Sequence, residues 1–137
     1  MIKPTLTYCC TLFIGISPHY KHKMETLQTK QLFTTIGSTT SKCESVENLI
    51  KRKSLIEVFK CLHKMGPSTF DKYFERRSHA IGTRGNDSLL TLQKVKTQSG
   101  RKTFQHQGAL LFNKLPASIR NEQYSVTFKN AIKQLEL

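Results

Sequence analysis

Acidic residues are scarce in this chain, with nine Asp and Glu against 22 Lys and Arg among 137 residues. Only two of the nine are aspartates, Asp71 and Asp87, sixteen positions apart and neither followed by another acid. Phosphoryl transfer on two divalent cations needs carboxylates held close together on a tight turn. This spacing excludes such a centre. Cysteine is sparse and irregular: Cys9 and Cys10 adjoin, Cys43 and Cys61 lie eighteen apart, and there is no C-x-x-C. A small disulfide-framed secreted domain or a zinc knuckle needs denser, closer ligands. Cys61 with His63, and His19 with His22, offer half-sites at most. Reduced thiols are expected, in an intracellular protein of nucleus or cytoplasm. A nucleophile elbow, a phosphate-binding glycine loop and a dinucleotide fingerprint are all missing. No catalytic residue, metal or cofactor is therefore expected, and the chain is read as not an enzyme.

Long hydrophobic runs are also missing. Hydrophobic residues make up 37% of the chain, below the globular average, so a modest core is expected. The uncharged run Thr5–Ser17 is too short for a membrane span of about 20 residues. It has the length of a signal-peptide hydrophobic region, which would make the chain a secreted basic protein with residues 1–17 removed. Against this, the only preceding charge is Lys3, and Pro18 and His19 stand where small residues belong. A β-prone segment is the preferred reading. Residues 19–40 are polar and rich in Thr, Ser and Lys, as in a linker or loosely ordered stretch. Residues 1–40 thus form an uncertain N-terminal segment, and residues 41–137 the folded region.

What the chain does have begins with Ser41-Lys-Cys-Glu44, a capping-box form before an apolar stripe. Val46, Leu49, Ile50, Ile56, Phe59, Leu62 and Met65 keep near a helical period, and Gly66-Pro67 is placed to stop the helix. Lys51-Arg52-Lys53 reads as a solvated face before a phosphate-contacting knot. Further on, Leu90, Leu92, Lys94 and Lys96 alternate as in a strand. Gln98-Ser99-Gly100 suits a hairpin turn with positive φ at glycine, and Arg101–Gln105 would be the return strand. A short helix opening near Gly108 should bury Leu110, Leu111, Phe112 and Leu115. Pro116 suits a first helical position, Asn113 a bond to backbone, and Ser125 the cap of a last helix facing inward through Phe128, Ala131, Ile132 and Leu135.

Three stretches, in order, resemble the extreme C-terminal segment of the reverse transcriptases of jockey-type non-LTR retrotransposons. The first is IEVFKCLHKMGPSTFDKYF at Ile56–Phe74, where Phe59 stands for the family's usual Tyr. The second is Arg77, Ser78, Thr83 and Arg84. The third is LTLQKVKTQSGRKTFQHQGALLFNKLPASIR at Leu90–Arg120, containing the L-F-N-K-L-P-x-S-I-R match, with Phe112 for the usual Trp. The resemblance spans about Ile56 to Leu137. It implies a non-catalytic, truncated tail of an RNA-directed DNA polymerase. Its partners would be RNA or DNA phosphate backbone, bound weakly and without sequence preference, and the missing polymerase thumb.

Charge agrees in position with this reading, since residues 71–120 hold ten of the 22 basic residues and only three of the nine acids. Such a field attracts polyanions by counterion release. It would equally serve anionic lipid or plain solvation, and a structural or interaction domain with a solvating basic surface is the alternative. The candidate nucleic-acid contacts are Arg76, Arg77, Arg84, Lys94, Lys96, Arg101, Lys102, Lys114 and Arg120. The expected fold is α+β, mainly helical with one short basic β-hairpin and a poorly ordered N-terminal region.

Overall fold

The computed structural model describes residues 10–37, 44–77 and 88–135. Among the described residues, a 3-10 turn at Cys10–Phe13 is followed by six helices: α1 (Pro18–Ile36), α2 (Val46–Leu62), α3 (Gln98–Arg101), α4 (Phe104–Lys114), α5 (Ala117–Arg120) and α6 (Ser125–Gln134). A second 3-10 turn, Ser68–Phe70, follows α2. Among the described residues there is no sheet, only a single antiparallel bridge between Arg76 and Leu90.

The expected hairpin is therefore replaced by helix. Thr97 Oγ1 accepts the Gly100 N–H at 3.1 Å, and this cap starts the one-turn helix α3 at the proposed turn. Thr103 then caps α4 by accepting the His106 N–H, so no residues remain for a return strand. Gly100 is needed for space and not for positive φ. A Cβ there would overlap the Val95 side chain, and Gly37 alone has positive φ among the described glycines.

The N-terminal expectation also fails. Of residues 19–40, expected to be a loose linker, 19–36 belong to the nineteen-residue helix α1; residues 38–40 lie outside the described residues. Pro18 sits in its first turn, where a missing N–H costs nothing, and Gly37 closes it at φ 68° with its N–H on the Phe33 carbonyl. Thr26, Thr29 and Thr34 donate their hydroxyls to carbonyls four residues back, so threonines that favour loops are absorbed into the helix. Phe13, Ile14 and Met24 pack on buried Val46 and Ile50 at the start of α2. Polar ties join the same regions. Lys21 pairs with Glu47 at 3.4 Å, and the Ser45 hydroxyl donates to Glu25 at 2.7 Å.

Helix α2 starts later than the capping-box pattern suggested. Ser41–Cys43 lie outside the described residues, and Ser45 is the observed cap, accepting the Glu47 N–H. Its end is set by Lys64 instead of Gly66. Lys64 takes φ 54°, with Met65 N–H on the Lys60 carbonyl at 2.8 Å and Lys64 N–H on the Cys61 carbonyl at 3.3 Å. Those two bonds are the Schellman pattern, normally closed by glycine.

The main core gathers Leu55, Val58 and Phe59 from α2, Phe112 from α4, and Phe128 and Ile132 from α6. Phe59 stacks on Phe128 with ring centroids 4.3 Å apart, and Phe112 lies 6.4 Å from Phe128. Gly108 lets α4 approach α2 closely, since a Cβ there would meet Val58 at 2.9 Å. Ser125, expected as a cap, is instead the first residue of α6, with Tyr124 before it.

Leu90 is anchored from two sides. Arg77 N–H bonds the Leu89 carbonyl (2.8 Å) and Thr91 N–H the Glu75 carbonyl (2.9 Å). Leu90 is thus the non-hydrogen-bonded partner of Arg76, and its own polar groups point the other way. There Asn113 Oδ1 accepts the Leu90 N–H at 2.7 Å, and Asn113 Nδ2 donates to the Leu90 carbonyl at 3.0 Å. The carboxamide does the work of a neighbouring strand.

Replacing Asn113 with Ala should destabilise the fold by about 1–3 kcal/mol in denaturant titrations, because two backbone groups lose their partners. Asn113→Asp, which keeps an acceptor but loses the donor, should not restore it. Lys64→Gly should raise stability by about 1 kcal/mol, the cost of holding a side chain in the left-handed region.

Candidate nucleic-acid interface

The bridge and the Asn113 clamp fix where the basic segment leaves the core. Beyond Leu90, residues 91–96 run without regular structure and carry exposed Lys94 and Lys96. Val95 turns inward against Gly100, which brings the run back onto α3 and exposes Arg101 and Lys102 just beyond. Gln107 Nε2 donates to the Arg101 carbonyl at 2.6 Å, tying that corner to α4. Four cations thus lie along nine residues of anchored chain. Lys114 is exposed at the carbonyl end of α4, where positive charge suits the helix dipole.

The remaining candidates divide. Arg76 is exposed, Arg77 is half-buried, and Arg84 lies outside the described residues. Arg120 is only 6% exposed, with Nε and Nη1 buried and unpartnered, so it leaves the set a phosphate chain could reach. Among the described residues none of Arg76, Lys94, Lys96, Arg101, Lys102 or Lys114 is ion-paired. Four cations of residues 21–60 differ, because Lys21 and Lys51 share Glu47, Arg52 takes Glu44, and Lys60 takes Glu57.

Arg76 also lines an open polar recess of about 610 Å³ with His63, Asn121, Gln123 and Tyr124. Tyr124 is 73% exposed and free to stack, and the two amides offer donors and acceptors. His63 packs on Phe59 with ring centroids 4.2 Å apart. Burial first, and then the Arg76 guanidinium, hold its pKa below the usual imidazole value. Sequence reasoning missed this recess. A polar Asn-Glu-Gln-Tyr run after α5 was visible, but its meeting with His63 depends on how α2, α5 and α6 pack. Of the aromatic residues interleaved with these charges, Phe74 and Phe112 are core, Phe104 packs against it, and Tyr73 is exposed.

Among the described residues no three His, Cys, Asp or Glu side chains gather as metal ligands. Cys61 is buried, and burial, followed by Glu57 and Asp71, pushes its thiol pKa up, away from nucleophilic thiolate. No described helix is long and apolar enough to cross a membrane. No protein family, curated protein or solved structure matches the chain.

The pH dependence of stability follows from two depressed pKa values. His63 binds protons less readily folded than unfolded, so its contribution is full above its ordinary value of 6.5 and falls as the medium is acidified below it. Glu47, held down by Lys21 and then Lys51, adds a second loss only below its ordinary value of 4.5. Melting temperature should therefore decline between pH 7 and pH 5 in the native chain. In His63→Gln that decline should flatten, with the loss below pH 4.5 retained.

Proposed function

We propose that this domain holds the phosphate backbone of single-stranded nucleic acid, without sequence preference and without catalysis. The observation that carries the reading is the row of exposed, unpaired cations Lys94, Lys96, Arg101 and Lys102 on a stretch pinned at both ends. Unpaired cations retain their counterion-releasing capacity, which cations neutralised by a neighbouring carboxylate have lost. Anchoring matters too, since a fixed row gives up less conformational freedom on binding than a loose tail. Arg76 would extend the track into the recess, where Tyr124 would stack on a base and the Asn121 and Gln123 amides would meet its edge. His63 would stay mostly neutral at pH 7.

The sequence resemblance gives this reading its setting. A non-LTR retrotransposon reverse transcriptase, which such a segment would end, must hold template RNA and target DNA beside its polymerase. In that setting the chain would be a non-catalytic fragment of the enzyme. The Phe-Asn-Lys-Leu-Pro stretch supplies the scaffold in this proposal: Phe112 fills the core, Asn113 clamps Leu90, and Lys114 faces outward.

Titration of a fluorescent poly(U) oligonucleotide against salt tests the proposal. The logarithm of affinity should fall linearly with the logarithm of salt, by about 0.7 per contacted phosphate. Replacing Lys94, Lys96, Arg101 and Lys102 with Ala should make that slope shallower by about 3. Tyr124→Ala should cost about 1–3 kcal/mol of affinity with little change in slope. A flat salt dependence in the native chain would leave the cations as a solvating surface.

A further inference from the structure

A groove of about 460 Å³ runs between α2 and α6, apart from every residue assigned above to nucleic acid. Its walls are two helical stripes. Positions 49, 52, 53, 56 and 60 of α2 and positions 126, 129, 130 and 133 of α6 each repeat every three or four residues. Leu49, Ile56 and Val126 give it an apolar floor, and Val126 is 70% exposed. Five basic side chains border it. Arg52 and Lys60 are already paired with Glu44 and Glu57, whereas Lys53, Lys129 and Lys133 have no ion-pair partner among the described residues.

We infer that this groove docks an acidic amphipathic helix from a partner protein. Two helical walls with an apolar floor match the geometry in which a third helix lays aliphatic side chains at i, i+3 or i+4, and i+7. The α2 stripe, from position 49 to 60, would accommodate about three turns of such a helix. Charge complementarity selects its outer flanks, since carboxylates there would meet Lys53, Lys129 and Lys133. Nucleic acid fits less well. The apolar floor of Leu49, Ile56 and Val126 offers a phosphodiester backbone nothing. A second copy of this chain is opposed by its own net charge of +13.

The test uses the full chain and a labelled synthetic peptide of about 16 residues, with leucines in one helical stripe and glutamates elsewhere. Two controls are a peptide of the same composition with scrambled leucine positions and the poly(U) oligonucleotide as competitor. The striped peptide should bind and the scrambled one should bind at least about tenfold more weakly. Val126→Asp, at an exposed position, should weaken binding by about tenfold or more with an unchanged melting temperature. The combined Lys53→Glu, Lys129→Glu, Lys133→Glu variant should do the same while leaving poly(U) affinity near its native value. Equal binding of both peptides would reduce the site to charge attraction and overturn the inference. So would indifference to Val126→Asp. Displacement of the peptide by poly(U), lost in the triple variant, would assign the groove to nucleic acid instead.

Discussion

Asn113 commits both ends of its carboxamide to the backbone of one residue, Leu90, and much of the C-terminal half depends on that pair of bonds. Leu90 is fully buried, so its N–H and C=O would otherwise have been left without water or partner. The bridge to Arg76 cannot supply them, since it uses residues on either side. A single side chain on α4 therefore joins helix to irregular chain. From that junction the basic run leaves the core in a set direction, and Arg76 is placed on its opposite flank.

Behind the junction lies an aromatic core that is small but closely packed. Phe59, Phe112 and Phe128 come from three different helices and meet around one point. Gly108 and Ala109 let α4 come near α2, a close approach that larger side chains would prevent. This economy suits a chain with few hydrophobic residues: a few large rings contribute the buried area that a longer apolar inventory would otherwise supply.

Charge is organised by neutralisation as much as by number. In residues 21–60 the carboxylates Glu44, Glu47 and Glu57 each engage cations, which leaves only part of the positive field free, and the Lys21–Glu47 pair ties α1 to α2. From residue 88 onward acids are almost absent, and the cations other than the buried Arg120 face solvent without an ion-pair partner among the described residues. The two proposed surfaces follow from this division. One is a bare cationic track suited to phosphate, and the other is an apolar groove edged by lysines and suited to a protein helix.

Some of this was legible in the residues. Phe59, Phe112, Phe128 and Ile132 reveal their inward faces through helical spacing, and an asparagine beside Leu-Pro with no catalytic partner already suggests a backbone bond. Other features misled. Alternation at Leu90–Lys96 and a glycine at position 100 fit a hairpin, yet threonines at 97 and 103 each cap a helix, and local capping prevailed over alternation. The threonine-rich stretch of α1 lacks a strong apolar stripe, so its helix rests on contacts with α2. Arg120 carries the same formal charge as Arg101, but one is buried and the other exposed. The sign and distribution of charge and the lack of paired carboxylates can be read from the residues directly, because they depend on composition and spacing alone. Which cations stay unpaired, which arginine is buried and where His63 meets Arg76 and Tyr124 emerge only on folding. Those outcomes depend on packing between segments dozens of residues apart, and no local pattern encodes them.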